Sequence, residues 1–301
     1  MLGFLLARWI VEVAESVDGP RFDLVEAAAH DGRLAGDVLE ALQRFHPETL
    51  NRVRYRILEP SEPRRRAQRE RLAPWGERVA WHGGWEEVED RIRGAVFSNE
   101  LLDAMPVRRF AWSASGGRWR ELGVEVRDGC LAACFLETEA DSLLPDWRRL
   151  EPYLPDGYVV ERCPAAEGWW RQAASALEAG ALLALDYGVE SSDRFRPERT
   201  HGTARAYCRH RACDDLLARP GEQDLTAHVD FPRLIEIGEE AGLRTLDLLP
   251  QGRWLGRWAT RVVGEGGEGA RWLTERARGL QTLVHPQHLG QAMRALVQQR
   301  V

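Results

Sequence analysis

The sequence predicts an α/β protein with a doubly wound, mostly parallel sheet, and three observations carry that expectation. Apolar runs of strand length alternate with stretches of helical spacing through the N-terminal third, the pattern of crossover connections rather than of hairpins. Several of these runs end on an acid, at Glu26, Glu59, Glu100 and Asp186, and open α/β sheets hold their ligands at strand ends. With 301 residues, 44% of them hydrophobic, the chain is long enough to bury the core of one large domain.

The elements follow in order. Leu2, Leu5, Leu6, Trp9, Ile10 and Val13 repeat at helical spacing and give a first amphipathic helix. FDLVEA (22–27) is a short strand, followed by a helix through Leu34, Val38, Leu39 and Leu42. VRYRILEP (53–60) alternates like a strand, and the Arg-rich run EPRRRAQRERL (62–72) reads as a solvated helix. RVAWH (78–82) and GAVFSNE (94–100) add two strands. Between 107 and 137 three strand-like runs separated by Ser-Gly-Gly and Asp-Gly turns indicate an antiparallel insertion. A helix through Trp169, Ala173, Ala176 and Leu177 is expected to end at Gly180, before the most apolar strand, ALLALDYG (181–188). The stretch 189–230 has little periodicity and is too long for a simple connection, so it reads as a functional loop region. FPRLIEIGEEAGL (231–243) is a helix, RTLDLL a strand, WLTERARGLQTLVHP (272–286) a helix and LGQAMRALVQQ (289–299) a last strand-like stretch. The expected organisation is a single domain over 1–301, with a β insertion at about 107–140 and a loop region at about 189–230.

Composition removes several function classes. All 41 basic residues are arginine, so chemistry that needs a lysine amine is excluded, including Schiff-base enzymes, P-loop hydrolases and protein kinases. A net charge of −6 offers no general attraction to nucleic acid or to an anionic membrane. Arg8 and Glu12 interrupt the apolar N-terminal helix, which makes it neither a spanning helix nor a secretory signal, and a cytoplasmic location is expected. The five cysteines form no C-x-x-C pair and read as reduced, mostly buried thiols. His285 and His288 lack a third ligand nearby, so no metal site is expected.

Glu26 and Glu59 end consecutive strands and would lie side by side at the carboxyl edge of a doubly wound sheet. An acid after the second strand suits both hydroxyls of a ribose, although the same spacing also describes two solvated acids at loop starts. The intervening turn, EAAAHDGRLA, has only Gly32 where a dinucleotide would require G-x-G-x-x-G, which disfavours a nicotinamide oxidoreductase. A nucleoside without phosphates, such as S-adenosylmethionine, asks less of this turn.

SNELLDAMPVRRF (98–110), ALLALDYG, HGTARAYCRH (201–210), DLTAHVDF (224–231) and HPQHLGQAMRAL (285–296) occur in this order, and together they resemble the MidA family of S-adenosylmethionine-dependent methyltransferases. That family includes mitochondrial complex I assembly factors and their bacterial relatives. The resemblance implies a class I methyltransferase (Rossmann-like) fold whose last strand is antiparallel, with S-adenosylmethionine as cofactor. It also implies methylation of arginine in a partner protein, with a respiratory-complex subunit among the acceptors to consider. Glu26 and Gly32 match the family's cofactor loop, Glu59 its ribose-binding acid, and Trp81 and His82 the stretch flanking the adenine. Ala28 and His30 stand where the family has glycines. GFLLARWIVEVAE resembles a helix that in the family follows a longer N-terminal segment, absent from this sequence through truncation or loss. These departures motivate a second reading, a non-catalytic binding or assembly module with the same fold.

A guanidinium is always protonated and must be gripped before it is methylated, which calls for carboxylates. Glu100 and Asp103, three apart, would share one face of a helical turn and supply that grip, and Asn99 would hydrogen-bond cofactor or substrate. The alternative is that both acids cap the turn and pair with Arg108 or Arg109. Asp186 and Tyr187 are expected to line the substrate side, with His228 a weaker candidate. Trp169, Trp170, Trp254 and Trp258 read as core or pocket wall.

Overall fold

The computed structural model describes residues 1–137, 144, 147, 150–190, 196, 199–209, 211–213 and 215–300. In chain order the strands are β1 (Phe22–Ala27), β2 (Val53–Leu58), β3 (Val79–His82), β4 (Ile92–Asn99), β5 (Arg108–Ser113), β6 (Arg118–Arg127), β7 (Cys130–Leu136) and β8 (Val159–Arg162). There follow β9 (Leu177–Val189), β10 (Arg205–Cys208), β11 (Arg211–Cys213), β12 (Asp224–Thr226), β13 (Val229–Asp230), β14 (Arg244–Pro250) and β15 (Met293–Arg300). The helices that matter below are α1 (Leu2–Ser16), α2 (Arg33–Phe45), α3 (Pro47–Arg52), α4 (Glu62–Leu72), α5 (Pro164–Ala176), α6 (Phe231–Glu240) and α7 (Gln251–Glu265). The chain divides into two compact units, one of Met1–Leu101, Trp169–Tyr187 and Leu234–Val301, the other of Leu102–Gly168 and Gly188–Arg233.

The first unit is built on the strand order β14-β15-β9-β4-β1-β2-β3. β3, β2, β1, β4 and β9 run parallel, and β15 enters antiparallel between β9 and β14. This is the mostly parallel sheet with an antiparallel last strand that the sequence led us to expect. All six residues of β1 are buried, as in a central strand covered on both faces. Gly94 and Gly180 sit where neighbouring backbones nearly touch: a Cβ on Gly94 would lie 1.9 Å from the Asp23 carbonyl oxygen, and one on Gly180 1.9 Å from that of Gly94. Only glycine allows that approach without moving the strands.

α1 is buried over most of its circumference and packs against α2 and α7. Gly3 permits the close contact with α2, since a Cβ there would meet Asp37 Cβ at 2.5 Å. Arg8, inside this layer, reaches Glu265 of α7 at 2.7 Å, and Trp9 meets Trp254 edge to face at 6.0 Å. Trp170 and Trp254 are core residues.

The second unit holds a four-stranded antiparallel sheet, β7-β6-β5-β8, and a three-stranded one, β11-β10-β12. Phe110, Trp112, Trp119, Trp147 and Tyr158 form its core. β5, β6 and β7 occupy the stretch read as an insertion, whose residues 138–140 lie outside the described residues, as do 191–195, 197–198, 210 and 214 of the loop region.

The structure departs from the sequence reading in four places. The helix expected to run to Gly180 ends at Ala176, because Leu177 already pairs with Ile92 in the β9–β4 ladder. The segment 251–265, which showed no recognised start signal, is the helix α7. The region read as aperiodic loop contains the short strands β10 to β13. None of the five cysteines is buried: Cys130 is exposed and the rest are half-buried, since all lie outside the main core.

Gln298 ties β15 to its neighbours. Its Oε1 accepts from Trp170 Nε1 at 2.9 Å, and its Nε2 donates to the Ile235 carbonyl at 3.0 Å and to Thr245 Oγ1 at 2.9 Å. Gln298→Leu strands all three groups, and we expect a loss of about 2 to 4 kcal/mol in urea unfolding. A loss below about 0.5 kcal/mol would refute this anchoring role.

Candidate functional site

The pairing register brings several strand ends level. Ala27 pairs with Leu58 and with Ser98, Leu58 with His82, and Asn99 with Leu185. The residues that follow these pairs, Ala28, Glu59, Glu100 and Asp186, therefore emerge along one edge of the first unit.

Glu59 is buried at this edge. Its Oε1 accepts from Ser61 N at 3.0 Å and its Oε2 from Gln68 Nε2 at 3.2 Å. Gln68, projecting from α4, is fully buried and joins three segments: Nε2 also donates to the His30 carbonyl at 2.9 Å, and Oε1 accepts from Trp81 Nε1 at 3.1 Å. The Arg69 guanidinium lies over the Trp81 ring at 5.5 Å, and His82 Nδ1 meets the Glu87 carbonyl at 3.1 Å. The amide of Gln68 thus ties the turn after β1, the acid after β2 and the indole of β3 together.

In the turn after β1, Ala28, His30 and Gly32 all have positive φ, at 57°, 48° and 78°. This conformation favours glycine and strains other residues by about 1 kcal/mol or more. Gly32 is the N-cap of α2. The His30 side chain is 82% exposed, so it leaves the edge unfilled. Glu26 turns inward: it is buried and accepts a 2.6 Å hydrogen bond from the Tyr55 hydroxyl. Burial pushes its carboxyl up to about 7, against the lowering effect of the Tyr55 bond.

At the end of β4, Glu100 N donates to the Leu185 carbonyl at 2.9 Å, while the fully buried Asp186 takes Leu101 N on Oδ2 at 3.1 Å and Tyr187 N on Oδ1 at 2.9 Å. These bonds clamp the chain after β4 to the end of β9. Glu100 is held at φ 51° with its side chain exposed, and Asn99 Nδ2 donates to its Oε1 at 3.4 Å. The helical turn expected to align Glu100 with Asp103 is not formed, because a left-handed residue breaks the helical path. Asn99 and Glu100 belong to the first unit and Asp103 to the second. Arg108 pairs with Glu121 at 2.6 Å and Arg109 with Glu161 at 3.4 Å.

Within the second unit, Asp103 is buried and its carbonyl accepts from Ala227 N at 2.9 Å. His228 N donates to Thr203 Oγ1 at 3.0 Å, and His228 lines a cavity of about 50 Å³ with Glu161, Arg199 and Asp230. Glu161 organises this region by accepting from Thr203 N at 2.9 Å, Thr203 Oγ1 at 3.2 Å and Ala204 N at 3.3 Å. Gln68 and Glu161 were not anticipated. Glu161 carries a weak signal, an acid closing the apolar pair Val159-Val160, whereas Gln68 has none within its Arg-rich helix.

A family model described as an S-adenosyl-L-methionine-dependent methyltransferase matches residues 5–249. Among similar proteins, the mitochondrial protein arginine methyltransferase NDUFAF7 homolog of Drosophila melanogaster is 28% identical over 269 residues, 80% of this chain and 58% of that protein. Human protein arginine methyltransferase NDUFAF7 is 27% identical over 263 residues, 78% of this chain and 56% of that one. The chain therefore spans less than two thirds of these relatives. A Burkholderia thailandensis protein solved bound to S-adenosyl-homocysteine superposes with a TM-score of 0.85 at 29% identity, covering 99% of this chain and 76% of that one. A native structure from the same organism gives 0.85 at 30% identity, over 99% and 79%.

The Glu26 environment makes stability depend on pH. With its folded value near 7 and an ordinary value of 4.5, the native state holds this proton more tightly than the unfolded chain. The contribution is full below the ordinary value and is lost as pH rises through about 7, a change of about 3 kcal/mol. Denaturant titrations from about pH 5 to about pH 8 should show that decline in the parent and a flatter profile in Glu26→Gln. Parallel profiles would rule out Glu26 as the source.

Proposed function

Because the chain belongs to the MidA-type family of S-adenosylmethionine-dependent methyltransferases, we propose that it transfers a methyl group from S-adenosylmethionine to an arginine side chain of a protein. The observation that carries this reading is the exposed Glu100 carboxylate, fixed by the Asp186 clamp on the same sheet edge as the buried Glu59. The names of the NDUFAF7 relatives support arginine as the acceptor.

The residues present fit the cofactor. Each oxygen of Glu59 takes one hydrogen bond from this chain, and a carboxylate oxygen has a second lone pair for a ribose hydroxyl. The turn from Ala28 to Gly32 lies at the N-terminus of α2, whose dipole favours an amino-acid carboxylate; of its first amides, Arg33 N already donates to Asp31 Oδ1 at 3.0 Å. Trp81 and His82 would flank the adenine. Bound S-adenosylmethionine supplies an electrophilic methyl carbon on a positively charged sulfur.

The chain's own residues hold the acceptor. Glu100 pairs with the guanidinium and orients one nitrogen for displacement, and Asn99 keeps the Glu100 carboxylate aligned. The nitrogen loses a proton as it is methylated, and Glu100 receives it. Asp186 acts by holding the backbone on either side of this position.

Calorimetric titration with S-adenosylmethionine and S-adenosylhomocysteine tests the reading. We expect binding at roughly micromolar affinity, changed only a few-fold by Ala28→Gly with His30→Gly, since the His30 side chain faces solvent. Binding that appears only with the glycines would support an assembly module instead. Glu100→Gln should keep cofactor affinity within a few-fold and abolish transfer of labelled methyl to arginine in protein extracts. A fully active Glu100→Gln would remove Glu100 from the mechanism.

A further inference from the structure

The hairpin of β6 and β7 is unusual in what it leaves open. Its register runs without a bulge from Glu121 opposite Leu136 to Arg127 opposite Cys130, and the turn residues Asp128 and Gly129 both have positive φ, as a two-residue primed turn requires. Such a turn closes on a hydrogen-bonded pair, and bonded and non-bonded pairs then alternate. Cys130, Ala132, Cys134 and Leu136 therefore direct their backbone groups toward β6, while those of Leu131, Ala133 and Phe135 point away from it. Among the described residues β7 has one strand neighbour, β6, so this outer row has no ladder partner.

Among the described residues this edge carries few of the usual protections, one of them the Arg120 guanidinium, which lies over the Phe135 ring at 3.5 Å. From Cys130 to Leu136 there is no charge, proline or bulge, and Val126, Leu131 and Phe135 are 72%, 40% and 47% exposed. We propose that this edge pairs antiparallel with the same edge of a second copy of the chain, joining two four-stranded sheets across a two-fold axis.

The occupant follows from the pattern of CLAACFL. Centred on Ala133, an antiparallel two-fold pairing sets Leu131 opposite Phe135 twice and Ala133 opposite itself, and all three are residues whose backbone groups are free to pair. Leucine and phenylalanine facing each other on one side of a sheet make a favourable cross-strand pair. The absence of charge matters equally. Two copies of a chain with net charge −6 meet here without opposing like charges, and an arginine-bearing peptide would find no carboxylate on the strand. An isologous edge of this kind closes on itself and does not propagate into a fibre.

Light scattering on the purified full chain reads the outcome. The parent should have twice the 34.1 kDa chain mass. Ala133→Pro removes only an outward N–H, a position where proline is tolerated in an edge strand, and should halve that mass with an unchanged far-ultraviolet spectrum. A charge pair keeps the test decisive if that variant misfolds. Leu131→Arg with Phe135→Arg sets arginine against arginine and should give single chains, whereas Leu131→Arg with Phe135→Glu sets arginine against glutamate and should restore the pair. A single-chain parent, or a pair that persists in the double-arginine variant, would overturn the proposal.

Discussion

In a parallel sheet a slip of one residue turns every side chain to the opposite face, so the register around β1 is the constraint on which the rest of the first unit depends. Ala27 opposite both Leu58 and Ser98 brings three crossover strands to the same level. Gly94 and Gly180 admit the backbones that make this pairing tight. Once it is set, Glu59, Asn99, Glu100 and Asp186 have little freedom in where they emerge.

The edge then concentrates polar groups that would be costly to bury singly. Glu59, Gln68 and Asp186 are enclosed, and each is compensated by hydrogen bonds to backbone or to another buried side chain. Glu26 is the exception in kind: its single strong bond to Tyr55 leaves burial dominant, and the carboxyl holds its proton up to about 7. Backbone strain gathers at the same place. Three of the non-glycine residues with positive φ, Ala28, His30 and Glu100, lie in the loops at this edge. Strained residues of this kind persist where surrounding bonds over-determine them, and the Asp186 clamp does that for Glu100.

Much of this was legible in the chain. Apolar runs ending on acids located β1, β2 and β4, and the Asp-Gly turn located the β6–β7 hairpin, because strand period and turn chemistry act over a few residues. The resemblance of SNELLDAMPVRRF and its companions agrees with the family found by comparison. What escaped the reading was non-local. Gln68 looks like any polar residue of a charged helix until α4 lays it between the His30 carbonyl, Glu59 and Trp81. Glu161 likewise acquires its meaning from Thr203 and Ala204, about forty positions on.

The sequence by itself determined the alternation of strands and helices, the acids at their ends and the exclusion of lysine chemistry, since these follow from residue identity and short-range spacing. The tertiary structure alone decided that Glu100 sits in a left-handed bend rather than on a helical turn with Asp103. The physical reason is the left-handed backbone of Glu100, which leads the chain off the helical path, while the amide of Leu101 is held by Asp186, a residue 85 positions away, in a clamp between two strands.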